Sequence, residues 1–332
     1  MKDDTTAMKA IVQDEYGTAP EAVLRLDEIA RPAIGDDEIL VRVRAASVDR
    51  GTWHIMTGLP YAIRVAGFGL RQPKATNPGR TLAGTVEAVG KDVSAYAPGD
   101  EVFGVGEGTF AEYARAAAGK LARKPANLTF EQAAAVPVSG LTALQGLRDR
   151  GRVEAGQKVL IIGASGGVGT FAVQLAKAFG AEVTGVCSTT KVELVRSIGA
   201  DHVIDYTRDD FADGGKRYDV ILDIGGNASL PRLRRALAPM GTLVIAGGET
   251  DGRWLGGSDR QLRALLLSPF VSQRLTTFVC KENHEDLLVL AELIESGQVT
   301  PVIDRTYPLG EIPAAIGYLH DGHARGKGGV GV

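Results

Sequence analysis

The segment 158–180, KVLIIGASGGVGTFAVQLAKAFG, decides the fold class of this chain of 332 residues. It begins with an apolar run, 159–163, that predicts a buried β-strand, and it continues through a glycine-rich turn. Apolar residues at helical spacing follow the turn, at Val168, Phe171, Ala172, Leu175 and Ala176. A strand, a glycine-rich turn and a helix in this order direct backbone N–H groups and the positive helix end toward a pyrophosphate. The segment therefore predicts a dinucleotide-binding site.

The turn within this segment supplies the residues that we expect to contact the cofactor phosphates. Glycine is needed where a side chain would hold a phosphate away from the backbone. Tight turns also use glycine for purely steric reasons, so the prediction depends on the strand before the turn and the helix after it. The expected contacts come from six consecutive residues, Ala164, Ser165, Gly166, Gly167, Val168 and Gly169.

Short β-rich runs alternate with helical runs after the glycine turn. This alternation is typical of an α/β fold with a doubly wound parallel sheet. The predicted strands are 181–187, 202–206, 218–224 and 241–248, and a short helix is predicted over 191–198.

The end of the second strand of such a sheet decides which ribose the site accepts. A carboxylate there favours NAD, whereas cationic or hydroxyl side chains accommodate the 2′-phosphate of NADP. This chain has Ser188, Thr189 and Lys191 at that point, and no acidic residue before Glu193. We therefore expect NADPH as the cofactor, with these three side chains around its 2′-phosphate. If Lys191 is only a solvated residue at the start of a helix, the choice of cofactor stays open.

The composition is that of an ordinary soluble enzyme, with 44% hydrophobic and 23% charged residues and a net charge of −3. This balance gives no reason to expect nucleic acid or an anionic membrane surface as a partner. No apolar run approaches the ~20 residues of a membrane span. The first ten residues lack the apolar stretch of a secretory signal. The two cysteines, Cys187 and Cys280, are too few for a disulfide framework, so we expect residence in the cytoplasm.

A different pattern precedes the nucleotide segment. The runs 39–43, 85–89 and 101–105 read as strands separated by turn signals, and they predict a small antiparallel β unit. The nucleotide segment therefore lies in the middle of the chain. This order argues against the short-chain dehydrogenases, which begin with the glycine turn and need a Tyr-x-x-x-Lys pair that this sequence lacks.

Motifs along almost the whole chain carry a resemblance to a known family. They are VRVRAASVDRGTWHIMTG (41–58), PGRTLAGTVEAVGKDV (78–93), PGDEVFGVGEGTFAEYA (98–114), AAAVPVSGLTALQGL (133–147), VELVRSIGADHVIDY (192–206) and the tail HARGKGGVGV (323–332), together with the glycine turn. Through them the chain resembles the medium-chain dehydrogenase/reductase superfamily, and within it the zinc-independent quinone oxidoreductase branch. The tail departs from the family at Gly328 and Gly329, where β-branched residues are usual.

The resemblance implies two domains. A GroES-like β-barrel domain would comprise residues 1–140 and be completed by 283–332, and a Rossmann-type NADP-binding domain would comprise 141–282. The resemblance also implies an active site in the cleft between them and a homodimer that forms through the nucleotide-binding sheets.

The resemblance further implies which residues surround the cofactor. Asp49 and Thr142 are expected to position the nicotinamide ribose, because polar family residues stand at these positions. Tyr206, Gly247 and Lys327 complete the expected cofactor-binding set.

The zinc-dependent alcohol dehydrogenases of the superfamily ligate the metal with a Cys, a Gly-His-Glu segment and a later Cys or Asp. Here Asp49 stands in place of the first Cys, and Gly79-Arg80-Thr81 replaces Gly-His-Glu. Zinc needs three or four ligands of suitable type in near-fixed geometry, and arginine is not one of them. We therefore expect a chain without a metal site.

Loss of the metal narrows the expected reaction. Reduction of a simple ketone builds a localised alkoxide that a metal would stabilise. Reduction of a quinone or an enone spreads the charge, and a few hydrogen-bond donors can stabilise it. The candidate catalytic residues are Asp49, His54 and Tyr61, with Tyr61 as the donor to the substrate oxygen. The alternatives are that Tyr61 only lines the pocket and that His54 only caps a turn.

The expected function is thus NADPH-dependent reduction of small quinones or activated C=C bonds. The segment 58–78 is longer than a connection between strands requires, and we expect it to form a lid or a substrate wall rather than a disordered insert. Two alternative functions stay open. One is a carbonyl or alcohol oxidoreductase that works without zinc, and the other is a cofactor-binding protein with little turnover.

Overall fold

The computed structural model describes residues 7–213, 215–247, 252–254 and 256–332. These residues form two compact units. The first unit contains the described residues up to Val138, together with Glu282–Glu295 and Pro301–Val332. The second unit contains Ser139–Lys281 and Ser296–Thr300.

The strands of the described residues are numbered in chain order. They are β1 (Ala7–Gln13), β2 (Leu24–Ala30), β3 (Glu38–Val48), β4 (Thr81–Val89), β5 (Glu101–Val105), β6 (Tyr113–Ala117), β7 (Leu121–Arg123), β8 (Lys158–Ile162), β9 (Glu182–Cys187), β10 (His202–Asp205), β11 (Tyr218–Asp223), β12 (Leu237–Ile245), β13 (Arg274–Thr277), β14 (Ile303–Pro308) and β15 (Lys327–Gly331).

The α-helices are numbered in the same way. They are α1 (Pro20–Val23), α2 (Arg50–Thr57), α3 (Tyr61–Ile63), α4 (Phe130–Ala135), α5 (Pro137–Gln145), α6 (Gly167–Ala178), α7 (Val192–Ser197), α8 (Leu230–Ala236), α9 (Ser258–Leu267), α10 (His284–Glu295) and α11 (Ile312–His320). No helix among the described residues is long and apolar enough to cross a membrane.

The first unit is built on a seven-stranded sheet in the order β14-β15-β3-β4-β5-β7, with β6 also paired to β3. The pairs are antiparallel except β14–β15, and β1 and β2 form a separate antiparallel hairpin. This confirms the predicted antiparallel β unit. The strand predicted over 39–43 extends to Val48, because Ala45 through Val48 are all buried and alternation no longer marks the strand there.

The second unit is a six-stranded parallel sheet in the order β10-β9-β8-β11-β12-β13. The first strand of the unit, β8, lies beside the second and the fourth, so the direction of winding reverses between β8 and β11. Ligands of open α/β sheets bind at such a point, beyond the carboxyl ends of the strands. The α/β fold class and the doubly wound sheet are confirmed. The strand predicted over 241–248 begins and ends earlier than expected, and Gly248 lies outside the described residues.

Helix α6 follows β8 and is buried on more sides than the sequence pattern indicated. Thr170, Val173 and Gln174 are buried as well as the predicted apolar face. The Gln174 amide donates to the carbonyl oxygen of Thr300 at 3.0 Å and accepts from the Thr300 amide at 2.8 Å. The helix is therefore buried on more than one side, since the chain returns across it at 296–300.

Candidate active site

The glycine turn joins β8 to α6 and has the geometry of an anion site. Gly166 is the N-cap residue, so the helix begins at Gly167 and the expected turn includes the first helical residues. The Ala164 amide donates to the Val186 carbonyl at 3.1 Å, which fixes the turn against β9. A Cβ at Gly169 would collide with the carbonyl oxygen of Gly163, so only glycine permits this close approach.

The residues of this turn fit the pyrophosphate that the sequence predicts. The first amides of a helix have no acceptor within it, and the helix dipole adds positive potential at that end. Ala164 and Ser165 are buried, whereas Val168 is partly exposed. The turn therefore offers an anion the first backbone amides of α6.

Gly247 lies two residues after β12, at the same edge of the sheet. A Cβ at Gly247 would collide with the carbonyl oxygen of Ile224, so the ends of β11 and β12 approach as closely as the backbone allows. The Gly247 amide donates to the Asp223 carbonyl oxygen at 3.1 Å. A cofactor lying along this edge would meet the backbone of Gly247.

Beside Gly247 lies a buried ion pair that sequence reasoning missed. Arg260 Nη1 donates to Asp223 Oδ2 at 2.5 Å, and the exposed fractions of the two side chains are 12% and 0%. Arg260 also donates to the carbonyl oxygens of Ala228, at 2.7 Å, and Gly247, at 2.9 Å. Burial raises the pKa of Asp223, and the Arg260 guanidinium opposes that shift. Arg260 thus ties together three backbone segments at the edge where the cofactor is expected.

The residues expected around the 2′-phosphate form one short turn after β9. Ser188 is the N-cap of the 3₁₀ turn Thr189–Lys191, and Ser188 and Lys191 are partly exposed. Thr189 Oγ1 donates to Asp205 Oδ2 at 2.5 Å, so its single hydrogen is committed to that carboxylate. The hydrogen bond from the Thr189 hydroxyl is the main reason that the pKa of Asp205 lies below its usual value.

Asp205 is therefore a carboxylate close to the predicted phosphate site that the linear sequence did not show. It ends β10, and its backbone is in register with Cys187 at the end of β9. The sequence placed no acidic residue between Cys187 and Glu193, but strand pairing brings one from the neighbouring strand. Parallel strands end at one edge of a sheet, and that rule could have located Asp205.

Cys187 and Tyr206 flank the same turn. Burial raises the pKa of the Cys187 thiol to about 11, so this thiol stays protonated near neutral pH. The Tyr206 amide donates to the Cys187 carbonyl at 3.1 Å, while the Tyr206 side chain is 59% exposed. Thr142, in α5, is partly exposed.

In the first unit, Asp49 and Lys327 lie together at the start of α2. Asp49 is the N-cap residue and accepts from the Thr52 amide at 3.0 Å. Lys327 Nζ lies 3.8 Å from Asp49 Oδ2, which is too long for a hydrogen bond. This ammonium is buried, and none of the residues that the structure describes accepts a hydrogen bond from it. Burial lowers the pKa of Lys327, and the Asp49 carboxylate opposes that shift.

An orphaned buried ammonium normally requires a partner, because an unpaired buried charge is costly. The hydroxyl groups of a ribose are acceptors of the kind that Lys327 lacks. The pair Asp49 and Lys327 therefore fits the part of a dinucleotide that the resemblance assigns to it.

His54 lies one turn further along α2. Its Nδ1 atom is 2.8 Å from the carbonyl oxygen of Leu59, and a carbonyl can only accept, so Nδ1 carries a proton. The other ring nitrogen, Nε2, is then left without a proton in the neutral ring.

Tyr61 begins the short helix α3 and is partly exposed. The Arg64 guanidinium lies 4.8 Å from the centre of the Tyr61 ring and 4.2 Å from that of Tyr16. Arg64 also donates to the Gly58 carbonyl at 2.8 Å, and the Tyr16 hydroxyl donates to the Phe68 carbonyl at 2.7 Å. Through Arg64 and Tyr16, these contacts connect Gly58, Tyr61 and Phe68 of the segment 58–78.

Arg80 and Thr81 stand where the resemblance puts zinc ligands, and both side chains make other hydrogen bonds. Arg80 donates to Glu282 at 2.5 Å, and Lys120 donates to the other carboxylate oxygen of Glu282 at 2.9 Å. Thr81 is buried, and its hydroxyl donates to the Ser47 carbonyl at 3.1 Å. Within the described part of the chain, no group of three or more His, Cys, Asp or Glu side chains could hold a metal. The donor set therefore does not fit zinc.

Comparisons with known proteins agree with the two-part architecture. The family described as alcohol dehydrogenase GroES-like domain matches residues 35–126, and the family described as zinc-binding dehydrogenase matches residues 198–328. A mitochondrial NAD(P)H oxidoreductase of Mus musculus is 35% identical over 99% of this chain and 90% of its own length. A chloroplastic NADPH-dependent alkenal/one oxidoreductase of Arabidopsis thaliana is 34% identical over 96% of this chain and 78% of its own. The solved structure of a quinone oxidoreductase from Coxiella burnetii has a TM-score of 0.83 at 28% identity, and covers 98% of this chain and 100% of that one.

Proposed function

The chain belongs to the medium-chain dehydrogenase/reductase superfamily, and we propose that it is an NADPH-dependent reductase of quinones and activated C=C bonds that works without zinc. It is an oxidoreductase like the relatives that match nearly its whole length. The proposed substrates are small molecules with a conjugated acceptor group.

The observation that carries this proposal is that Arg80 and Thr81 make hydrogen bonds to other residues of the protein. Both stand where the resemblance puts zinc ligands, and both are committed elsewhere, Arg80 to Glu282 and Thr81 to Ser47. A site without a Lewis acid favours acceptors whose developing charge is delocalised. Quinones and enones are such acceptors, and the alkenal/one and quinone oxidoreductases among its relatives support this substrate class.

The residues present fit a nicotinamide dinucleotide, which supplies the hydride when it is bound. Gly166 through Gly169 and the start of α6 would hold the pyrophosphate. The Gly247 backbone would line the cofactor, while Asp49, Lys327 and Thr142 would position the nicotinamide ribose. Lys327 supports this assignment most directly, because its buried ammonium has no acceptor among the described residues.

We assign the preference for NADPH to Ser188 and Lys191. A hydroxyl and an ammonium on one turn suit the geometry and charge of a 2′-phosphate. Thr189 contributes less, because its hydroxyl donates to Asp205. The Asp205 carboxylate opposes an added negative charge nearby, so the preference depends on the cation of Lys191.

In the reaction, residues of the first unit supply orientation and protons. Tyr61 donates a hydrogen bond to the substrate oxygen as negative charge develops there, and the Arg64 guanidinium packs against its ring. His54 holds its Nδ1 proton on the Leu59 carbonyl and presents Nε2 for proton exchange. Asp49 orients the nicotinamide ribose through its carboxylate.

Three further assignments are proposals that rest on the sequence and the resemblance. The domain bounds 1–140 with 283–332 and 141–282 are those of a GroES-like and an NADP-binding domain. A homodimer and residence in the cytoplasm complete the proposal, although relatives include proteins named as mitochondrial or chloroplastic.

The proposal is tested by comparing a conjugated acceptor with its saturated counterpart. NADPH oxidation is followed with cyclohexenone, cyclohexanone and 1,4-benzoquinone, and each assay is repeated with NADH. We expect kcat/KM for cyclohexenone to exceed that for cyclohexanone by about 10²-fold, a factor of the size that one oxyanion interaction supplies. Comparable values would support the carbonyl reductase alternative. If NADPH binds but none of the acceptors oxidises it, the result would support the alternative of a cofactor-binding protein with little turnover.

A further inference from the structure

A cavity of about 480 Å³ lies on the first unit, built from residues that the reaction described above does not use. Its lining residues are Arg31, Arg42, Val43, Arg44, Glu112, Tyr113 and Val332. Its volume lies within the range of about 300–1,000 Å³ that is usual for small-molecule sites. Three of the seven lining residues are arginines and one is a glutamate, so the lining side chains carry a net positive charge.

The fold explains why the arginines meet at this place. Arg42 and Arg44 of β3 are exposed on either side of the buried Val43, and both line the cavity. Arg42 is in register with Tyr113 of the neighbouring strand β6. Arg31 follows the end of β2, and its guanidinium lies 3.8 Å from the centre of the Tyr113 ring.

These arginines have no acidic partner among the residues that the structure describes. No described carboxylate lies within ion-pairing distance of Arg31, Arg42 or Arg44, and Arg31 Nε is a buried donor without an acceptor. Glu112, an acidic side chain of the lining, accepts from the Lys9 amide at 2.8 Å and keeps its negative charge beside the arginines. By contrast, Arg115 of β6 donates to Glu107 at 2.7 Å.

We propose that this arginine-lined cavity is a binding site for a small anion that carries at least two negative charges. Guanidinium groups bind phosphate and carboxylate oxygens in paired, directional hydrogen bonds, so phosphate esters and dicarboxylates share the chemistry required. Like charges held close together repel one another, and a multivalent anion relieves that repulsion while it satisfies Arg31 Nε. The cavity belongs to the first unit and the glycine turn to the second.

Calorimetric titration with pyrophosphate and with citrate at low ionic strength tests the proposal and distinguishes the two kinds of anion. Each titration is repeated with saturating NADPH, so that any binding at the glycine turn is recognised by its loss. The informative variants are Arg42→Gln and Arg44→Gln, whose side chains are exposed. Arg115→Gln is the matched control, because it removes one arginine from the same sheet outside the cavity.

We expect saturable binding of at least one probe that persists with NADPH. Arg42→Gln and Arg44→Gln should each weaken it at least fivefold, and Arg115→Gln should change it less than twofold, since a loss of one charge-assisted bond exceeds a change in the overall field. Absence of binding by both probes would overturn the proposal. So would an equal loss in all three variants, which would mean that the anions respond only to net charge.

Discussion

Lys327 Nζ lies 3.8 Å from a carboxylate oxygen of Asp49, and the two side chains are only 2% and 12% exposed. The pair brings the tail of the chain, in β15, to the N-terminus of α2. It leaves an ammonium without a hydrogen-bond acceptor among the described residues. Such an arrangement is more favourable when a ligand supplies acceptors than when it stands alone.

Replacing Lys327 with methionine should therefore separate binding from stability. We expect Lys327→Met to weaken NADPH binding by about tenfold or more, since hydrogen bonds to charged groups contribute about 1.5–3 kcal/mol. The unfolding free energy of the ligand-free protein should not fall, because the variant no longer buries an ammonium. Fluorescence titration and urea unfolding measure the two effects. Lys91→Met, which removes an exposed ammonium paired to Asp36, is the charge control.

The pH dependence of stability provides a further check on the same residue. Burial lowers the pKa of Lys327 in the folded protein, so the folded state binds fewer protons than the unfolded state between that pKa and the ordinary value. This residue should make the unfolding free energy rise with pH across that window, and Lys327→Met should lose the rise. A pH profile identical in both proteins would contradict this account of Lys327.

Lys191 should govern the choice between NADPH and NADH. We expect Lys191→Ala to weaken NADPH binding by about 1–3 kcal/mol and to leave NADH binding nearly unchanged, because only NADPH carries the 2′-phosphate. Thr189→Ala should have a smaller effect, since that hydroxyl donates to Asp205. Dissociation constants for both cofactors decide the matter. Equal losses for NADPH and NADH would show that Lys191 does not contact the 2′-phosphate.

Tyr61 should act on turnover rather than on cofactor binding. Loss of one well-placed donor to a developing oxyanion lowers the rate by about 10²–10³. Tyr61→Phe should therefore lower kcat with cyclohexenone by this order and leave the dissociation constant of NADPH unchanged. Tyr16→Phe is a suitable comparison, because that ring also packs on Arg64 but its hydroxyl donates to the Phe68 carbonyl. A small effect confined to KM would assign Tyr61 to the pocket wall.

Arg260 should be important for stability, although it lies on a short surface helix. Removing one partner of a buried ion pair costs about 3–5 kcal/mol, because the other charge is left uncompensated. We expect this loss for Arg260→Met in urea unfolding at pH 7. Arg263→Met, in the same helix, removes an exposed partner of Asp259 and should cost less than about 1 kcal/mol.

The loss of stability in Arg260→Met should also become smaller as the pH is lowered. Burial raises the pKa of Asp223, and without Arg260 that shift is unopposed. The folded state then binds more protons than the unfolded state between the ordinary and the raised pKa, so the unfolding free energy falls as pH rises through this window. Unfolding curves from pH 7 to about pH 4 should show the difference from wild type narrowing. If the difference in unfolding free energy stayed constant with pH, Asp223 would not be the charge that the variant leaves uncompensated.

Metal analysis tests the assignment of the former ligand positions. Protein purified without added metal should contain far less than one zinc per chain, because Arg80 and Thr81 cannot ligate it. A chelator should leave the activity unchanged. Stoichiometric zinc together with activity that a chelator removes would overturn the proposed mechanism.

The fold followed from short-range patterns that this chain displays clearly. Glu101–Val105 was predicted with the bounds that β5 has, since turn signals precede it and its pattern is regular. The glycine turn was located because a buried strand and a helix flank it. The end of β3 was missed because Ala45 through Val48 are buried on both faces, which removes the alternation on which the prediction relied.

The contacts of the candidate site were harder to predict from the sequence, because its charged residues interact across long sequence separations. Arg260 reads as a solvated residue of an amphipathic helix, and nothing local indicates that Asp223 lies beside it. Asp205 reaches the Ser188 turn only through the pairing of β10 with β9. Glu282 meets Arg80 across 202 positions. Residue type and spacing predict backbone geometry well, but a contact between distant charges emerges only when the strands are assembled.

Glu282 would make it difficult to engineer a zinc site into this protein. Installing histidine at position 80 would do more than add one ligand, because it would deprive an 18% exposed carboxylate of its guanidinium partner and leave Lys120 as its remaining cation. Thr81 would have to give up the hydroxyl that joins β4 to Ser47 of β3. The intermediate designs would lose stability before any zinc could compensate. A zinc graft on this scaffold must therefore replace positions 80, 81, 120 and 282 together, as one unit.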